Sequence, residues 1–267
     1  MLRSAQRPRD YVAVSGPDAV DFVNRMVSND IAALAVGRSC DALLLTAKAR
    51  IIAPLVVWRR GEDDVLLLTE PGLGSAVLAA LLRARLRARC EVGAEEHDGW
   101  VLLGAREGGV ANADYGVPAV EVLDGMPTDS EPVEPEELEL LRIRARRPRW
   151  GRELNNTVLP AEAGLDESAI SFTKGCYPGQ EPVARLRHRG HANRTLRVLH
   201  IAANAAPDLG AELYHGGKAV GRVTSVARAD DGVILGLGYV RREVDEEAEL
   251  ELSDGTTVRI GLPAPQR

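Results

Sequence analysis

The chain has 267 residues, 45% of them hydrophobic, with 33 basic and 39 acidic side chains and a formal net charge of -6. That length supplies core for two or three compact units, and the negative sum argues against non-specific nucleic-acid binding by the molecule as a whole. Three cysteines without framework spacing exclude a disulfide scaffold and fit the reducing cytoplasm, and no C-x-x-C pair or Cys/His cluster has the spacing of a self-contained zinc site. Residues 1–10 are polar and lack the apolar centre of a secretory signal. The longest apolar stretches, around 43–45 and 78–82, are too short to cross a membrane.

Residues 11–14 read as a short strand, and Ser15-Gly16-Pro17-Asp18 then supplies a helix start with proline near the first turn. Ala19, Phe22, Val23 and Met26 recur at helical spacing and belong to the core. Two apolar β-rich runs, 40–46 and 51–58, flank Ala47-Lys48-Ala49-Arg50, and a third, 65–69, follows the turn Gly61-Glu62-Asp63. Cys40 lies in the first run and Cys90 at the entry to a later strand, so both read as packing residues. Residues 73–89 carry leucines on one face and arginines on the other, an amphipathic helix leaning on that sheet. With strand signals at 100–103 and 119–122, this region is an α+β unit with antiparallel pairing.

Residues 124–135 form a proline- and acid-rich connection into a helix over 136–147. Glutamates crowd its first turn and arginines its last, as the helix dipole favours, and Pro148 ends it. Beyond Arg194 the pattern changes to short strands: 195–201, a pair around the Gly216-Gly217 hairpin, 232–240, and 257–260 after the turn Asp254-Gly255. Ala248, Leu250 and Leu252 alternate with Glu247, Glu249 and Glu251 in one more. Strands so closely spaced make a small antiparallel barrel. The division expected is a body over residues 1–190, built of two interwoven subdomains, and a barrel over 191–267.

The segment richest in chemistry is Lys174-Gly175-Cys176-Tyr177-Pro178-Gly179-Gln180-Glu181, which sets a cysteine between glycines in surroundings too polar for a core. A lysine two residues away can stabilise a thiolate, and the glycines let the chain turn sharply and a partner approach. Cys176 therefore reads as a presented, working thiol with Lys174 as its charge partner. Six arginines lie between 142 and 152, and Arg185, Arg187, Arg189, Arg194 and Arg197 follow the octet. They read either as solvated faces with mutual ion pairs or as a positive cleft for an anionic ligand.

The octet resembles the K-G-C-Y-x-G-Q-E signature of the YgfZ family, bacterial relatives of the glycine-cleavage T-protein. The likeness continues upstream in Arg142-Ile143, Pro148-Arg149-Trp150-Gly151-Arg152-Glu153 and Leu159-Pro160-Ala161-Glu162-Ala163-Gly164-Leu165. Downstream it includes Val183-Ala184-Arg185, Arg189-Gly190-His191, Asn193-Arg194 and Gly221-Arg222-Val223-Thr224-Ser225; near the start it includes Gly16-Pro17-Asp18-Ala19, Asn29-Asp30 and Lys48-Ala49-Arg50. It covers nearly the whole chain. The resemblance implies a three-part T-protein-like architecture, a ferredoxin-like α/β body with a central folate-sized cavity and a C-terminal β-barrel. It further implies a factor for assembly or repair of iron-sulfur clusters in client enzymes, some of which modify tRNA. On this reading Cys176 and Lys174 carry the chemistry. The ligand-contacting set is Gly175, Tyr177, Gly179, Gln180, Glu181, Arg185, Asn29, Lys48, Arg50, Arg144 and Arg152. Tetrahydrofolate is the implied cofactor, no metal is stably bound, and the partners are iron-sulfur client proteins and a small anionic ligand, without membrane or direct nucleic-acid binding.

Read singly, several of these residues have structural roles. Tyr177 packs its ring against the barrel, Gln180 bonds within the turn, and Glu181 pairs with Arg185. Pro182 removes a backbone donor, so its position excludes interior sheet pairing. His188 and His191 lack a third ligand and read as polar hairpin residues. Ala53-Pro54 stands where the T-protein pattern has Asp-Asp, and neither residue can accept a proton. Arg144 stands where T-protein and YgfZ patterns carry glutamate, and a guanidinium only donates where a carboxylate would accept from a pterin edge. Folate-dependent aminomethyl or one-carbon transfer is thus the second reading and a pure interaction scaffold the third. A single thiolate cannot hold an iron-sulfur cluster alone, but it can be a transient ligand, a relay in thiol exchange or a nucleophile.

Overall fold

The computed structural model describes residues 1–203, 205–229 and 232–261; the last stretch of the range assigned to the barrel, 262–267, and the side chain of Arg189 lie outside the described residues. The elements run β1 Arg3–Gln6, β2 Asp10–Ser15, α1 Ala19–Met26, β3 Ser39–Leu45, β4 Ile51–Arg59, β5 Asp64–Thr69 and α2 Gly74–Arg85. Then come β6 Glu91–Glu95, β7 Gly99–Leu103, β8 Val110–Ala111, β9 Ala119–Leu123, β10 Glu131–Pro132, α3 Pro135–Arg144 and α4 Gln180–Arg189. The C-terminal strands are β11 Arg194–Ile201, β12 Glu212–His215, β13 Lys218–Arg228, β14 Ile234–Arg241, β15 Glu249–Glu251 and β16 Thr257–Gly261.

Two five-stranded sheets form the body, ordered β10-β1-β7-β9-β8 and β3-β4-β5-β2-β6. The second is antiparallel throughout, and alternation along its strands sends Val12, Val14, Val65 and Leu67 to the face covered by α1 and α2. Phe22, Val23, Val77 and Leu81 meet them from the helices, at spacings that put each set on one helical stripe. The opposite face presents Tyr11, Leu66 and Leu68 to Val110 and Leu123 of the first sheet, so the two sheets share a core. Strands β11-β14-β13-β12-β15-β16 close into a barrel filled by Leu199, Leu213, Val223, Ile234 and Val258. The T-protein-like plan implied by the octet, an α+β body followed by an antiparallel barrel, is the plan of this structure.

Both long helices stop earlier than the patterning indicates. Helix α2 ends at Arg85 because Leu86 turns to a φ of 38°, and α3 ends at Arg144, two residues before Arg146 at a φ of 53°. The second turn redirects the arginine run: Arg142 is buried and Arg147 swings back to the sheet, so the run is not a solvated face.

A buried ionic network locks the two sheets together. Arg9 bonds Glu121 at 2.5 Å, Arg7 bonds Glu70 at 2.6 Å, both arginines reach Asp114 at 3.3 Å, and Asn112 donates to Glu121 at 2.7 Å. Burial alone would raise the carboxyls of Glu70 and Asp114, but the neighbouring guanidinium groups outweigh it and hold both below the ordinary carboxylate range. A depressed folded-state value gives stability that is present above the unfolded value and lost as pH falls through the folded one. We therefore expect cooperative loss of structure below about pH 4, and Arg9→Met, which removes one of the guanidinium groups that hold Glu70 and Asp114 down, to move the acid midpoint upward; circular dichroism across pH 2–7 checks both, and an unshifted midpoint removes the network from the account.

Candidate functional site

Between α3 and α4 the chain runs without regular structure, and buried polar groups fix its course. Glu153, 1% exposed, accepts from Thr224 Oγ1 at 2.8 Å, Ser225 Oγ at 2.6 Å, Arg142 Nη1 at 3.0 Å and its own loop's Arg149 N–H at 3.0 Å. Its carbonyl takes the Tyr239 hydroxyl at 2.9 Å. Three quoted motif fragments, at 142, 153 and 224–225, thus meet around one carboxylate that joins helix, loop and barrel. Glu162 does the same further on, bonding Arg194 at 3.1 Å while that guanidinium lies over the Tyr239 ring at 4.6 Å.

The octet is held at both ends. At its start the Lys174 ammonium donates to three main-chain carbonyls in and just after the last turn of α1: Asn24, Val27 at 2.9 Å and Asn29 at 2.6 Å. Asn29 in turn donates from Nδ2 to the Asp41 carbonyl at 2.7 Å, and Ser28 Oγ donates to the Ala169 carbonyl at 2.6 Å. Burial pushes Lys174 down to about 8. The sequence suggests that Lys174 serves the Cys176 thiolate; in the structure the ammonium closes the end of α1, and the thiol with which its charge interacts is Cys40. At the other end Gly179, φ 83°, is the residue before α4 and packs directly on the turn of residues 46–49. Only glycine fits there, because a Cβ would stand 2.6 Å from the Thr46 carbonyl oxygen.

Between these anchors Tyr177 is buried, 7% exposed, in the core it shares with Leu196, Leu237 and Tyr239 of the barrel. Cys176 beside it is exposed, and Gly175 faces open space. The other two thiols differ. Burial pushes Cys40 up to about 12 and raises Cys90, so neither supplies thiolate near neutral pH. Gln180 opens α4, its N–H bonding the Tyr177 carbonyl at 3.3 Å, and Glu181 pairs with Arg185 at 2.6 Å on the exposed face. The polar hairpin read at His188 is instead the last turn of α4, and Pro182 sits in that helix's first turn, where a missing N–H costs nothing.

The remaining candidates are spread around this frame. Lys48 is exposed on the turn that receives Gly179, and Arg50 leaves the same turn to bond the Thr157 carbonyl. Arg144 and Arg152 are exposed, and neither lines the cavity beside α4 or the gap beside Pro54. The upstream arginines are committed to carboxylates: Arg142 to Glu139 and Glu153, Arg147 to Asp41 at 2.6 Å, and Arg149 to Glu139 at 3.2 Å. Among the described residues no group of three or more His, Cys, Asp or Glu side chains is placed to hold a metal, and no helix is long and apolar enough to cross a membrane.

Two hollows replace the expected central cleft around the thiol. The gap bordered by Asp41, Pro54, Glu70, Asp114 and Arg147 holds about 40 Å³, room for a water but not for a pterin. The ionic network between the sheets occupies that centre. A cavity of about 770 Å³ opens instead between α4, the 159–172 segment and the start of β11, and Cys176 is not among its lining residues. The downstream basic residues do converge there: Arg185, Arg187, Arg197 and Arg242 all line it. The fold parts the arginines on the two sides of the octet: upstream Arg142, Arg147 and Arg149 are held by carboxylates while Arg144 and Arg152 are exposed, and downstream Arg185, Arg187 and Arg197 face the hollow, Arg185 and Arg197 with exposed carboxylates beside them.

This arrangement defines a T-protein-like fold. The chain superposes on the glycine cleavage aminomethyltransferase T of Bartonella henselae with a TM-score of 0.86 over 100% of this chain and 87% of that one, at 22% identity. Residues 9–104 match the GCVT N-terminal domain. Within that fold the chain resembles the YgfZ proteins: it is 26% identical to the tRNA-modifying protein YgfZ of Serratia proteamaculans over 95% of this chain and 89% of that protein. It is also 24% identical to a mitochondrial iron-sulfur cluster assembly factor homologue of Phaeosphaeria nodorum, over 74% of this chain and 55% of that protein.

Proposed function

We propose that the protein is a YgfZ-like factor that supports assembly or repair of iron-sulfur clusters in cytoplasmic client enzymes, some of them tRNA-modifying, with Cys176 as its working thiol. The observation that carries this reading is the contrast within the octet: Lys174, Tyr177 and Gly179 are pinned on either side of Cys176, and the thiol between them is exposed. A fixed, accessible sulfur can take one iron position transiently while the client supplies the other ligands, or it can exchange with a client thiol. A tetrahydrofolate or another anionic ligand accompanies this role, supported by the T-protein-like fold and by the convergence of arginines on one cavity. Aminomethyl transfer gains no support from the geometry, since Ala53 and Pro54 offer no proton acceptor and Pro54 borders a gap of water size.

The test is complementation. In a deletion strain, Cys176→Ala and Cys176→Ser are expected to leave cluster-dependent enzyme activity at the level of the deletion, while Cys40→Ala and Cys90→Ala proteins that fold restore it. Rescue by Cys176→Ala equal to that of the wild type sinks the proposal and favours a scaffold.

A further inference from the structure

We infer that the groove between the end of α2 and the neighbouring α1 docks another protein, through an amphipathic helix whose apolar face is flanked by acidic residues. The inference goes beyond the proposed function and rests neither on Cys176 nor on the cavity beside α4. Leu73, Val77 and Leu81 seal the inner stripe of α2 against its sheet, yet the helix is apolar on its outside as well. Ala79 and Leu82 are exposed there, and Leu86, the residue that stops the helix, is 89% exposed. Leu86 holds a φ of 38°, a conformation that residues with a side chain adopt only at a cost. Glycine ordinarily fills such a helix stop, whereas this chain keeps a leucine there and turns its side chain outward. Single exposed apolar side chains are common on any surface. This one borders a concavity of about 450 Å³ whose apolar lining is completed by Phe22, Met26, Ala84 and Ala88. Exposed apolar surface rimmed by charge is the form of a docking site, and a groove between helices takes a helix.

The rim decides the occupant. Arg25 is answered by Asp21 at 3.0 Å and Arg89 by Asp18 at 2.9 Å. Arg83, Arg85 and Arg87 have no ion-pair partner among the described residues, which leaves this end of α2 basic on a chain whose formal net charge is -6. A second copy meeting the face across a two-fold axis would set these arginines against their own kind. A flat anionic membrane would leave the concavity unfilled and would meet the carboxylates of Asp18 and Asp21, which line the same groove. An acidic helix suits both features: its apolar side chains enter beside Leu86, and its carboxylates pair with the free guanidinium groups. The end of α1 also links the groove to the octet, because Asn24 and Val27 lend their carbonyls to Lys174 while Phe22, Arg25 and Met26 line the groove. A docked partner therefore rests on the helix end that anchors the segment carrying Cys176.

The test uses the full chain and two fluorescein-labelled helical peptides of about 18 residues, each with leucines along one face, flanked in one peptide by glutamates and in the other by lysines. Vesicles of phosphatidylglycerol are the third probe. By fluorescence anisotropy the glutamate peptide is expected to bind about 10-fold tighter than the lysine peptide, and Arg83→Glu/Arg87→Glu to erase that preference. Leu86→Gly should weaken the glutamate peptide about 10-fold or more, the loss of one buried leucine. Its melting temperature should stay level or rise, because glycine holds a positive φ without strain. A leucine kept for the fold alone gives the opposite pattern, a lower melting temperature with unchanged binding, and that result overturns the inference. So does the absence of glutamate-peptide binding up to millimolar concentration, or a preference that the arginine reversals leave intact. Tighter binding to the vesicles than to the peptide gives the face to a membrane, and a dimer in sedimentation that Leu86→Gly dissociates gives it to a second copy; either overturns the inference too.

Discussion

Replacing Glu153 by alanine is expected to destabilise the protein by about 3–5 kcal/mol, the cost of stranding a buried charge, and to lower its melting temperature on the order of 10 °C. The carboxylate is 1% exposed and is the common acceptor of two barrel hydroxyls, one guanidinium and one main-chain N–H. Without it Thr224, Ser225 and Arg142 are left in a site that water does not reach. Arg142 is the expensive member: its side chain is 4% exposed, and Glu139 then remains its one carboxylate partner. The physical origin can be checked by a second substitution. Arg142→Met placed on Glu153→Ala removes the stranded charge, so the double variant should be more stable than Glu153→Ala alone. The cluster also joins three parts of the chain, so the loss should be cooperative, with near-ultraviolet dichroism and calorimetry melting together. A melting temperature for Glu153→Ala within about a degree of wild type contradicts the cluster's role.

Most of the fold is legible in the sequence wherever periodicity is strong. The runs at 40–46, 51–58 and 65–69 are apolar because they are buried on both faces, and the barrel strands alternate because one face meets its interior. The polar strand β1, Arg3–Gln6, carries no such signal, yet it pairs with β7 inside a sheet and buries Ser4. Helix α4 is masked for another reason. Its charged residues outnumber its apolar ones, and only Val183 and Leu186 at i, i+3, with Glu181 in the first turn, mark it as a helix. The site was legible as a set of residues but not as an arrangement. Lys174 and Cys176 are two apart in sequence, and the chain sends the ammonium into the body and the thiol outward. Likewise the arginines at 142–149 and at 185–197 are alike in composition, and it is the distant acids Asp41 and Asp114, together with the nearer Glu139 and Glu153, that take up Arg142, Arg147 and Arg149. Ion-pair partners separated by up to about a hundred positions leave no local pattern to read.

The two glycines of the octet that flank the thiol should respond oppositely to the same change. Gly175→Ala is expected to be neutral in stability, because the added methyl meets nothing within 4 Å and the backbone there is outside the left-handed region. Gly179→Ala is expected to cost about 1–2 kcal/mol for its left-handed backbone alone and more for the contact, since its Cβ would lie 2.6 Å from the Thr46 carbonyl oxygen and 3.1 Å from Ala49 Cα. Neither neighbour is a flexible side-chain tip. The 46–49 turn is closed by Ala49 N–H to the Thr46 carbonyl and Thr46 N–H to the Arg50 carbonyl, both at 2.9 Å, and Ala49 itself holds a φ of 58°. The octet is therefore the side that moves, and α4 moves with it. Because α4 carries Arg185 and Arg187 into the cavity and Gly179 ends the segment that presents Cys176, Gly179→Ala should lose complementation while keeping its thiol. Thermal melts and complementation of the two alanine variants, side by side, decide it: equal stability and equal rescue would show that the glycine's close approach to the turn is not what fixes the octet.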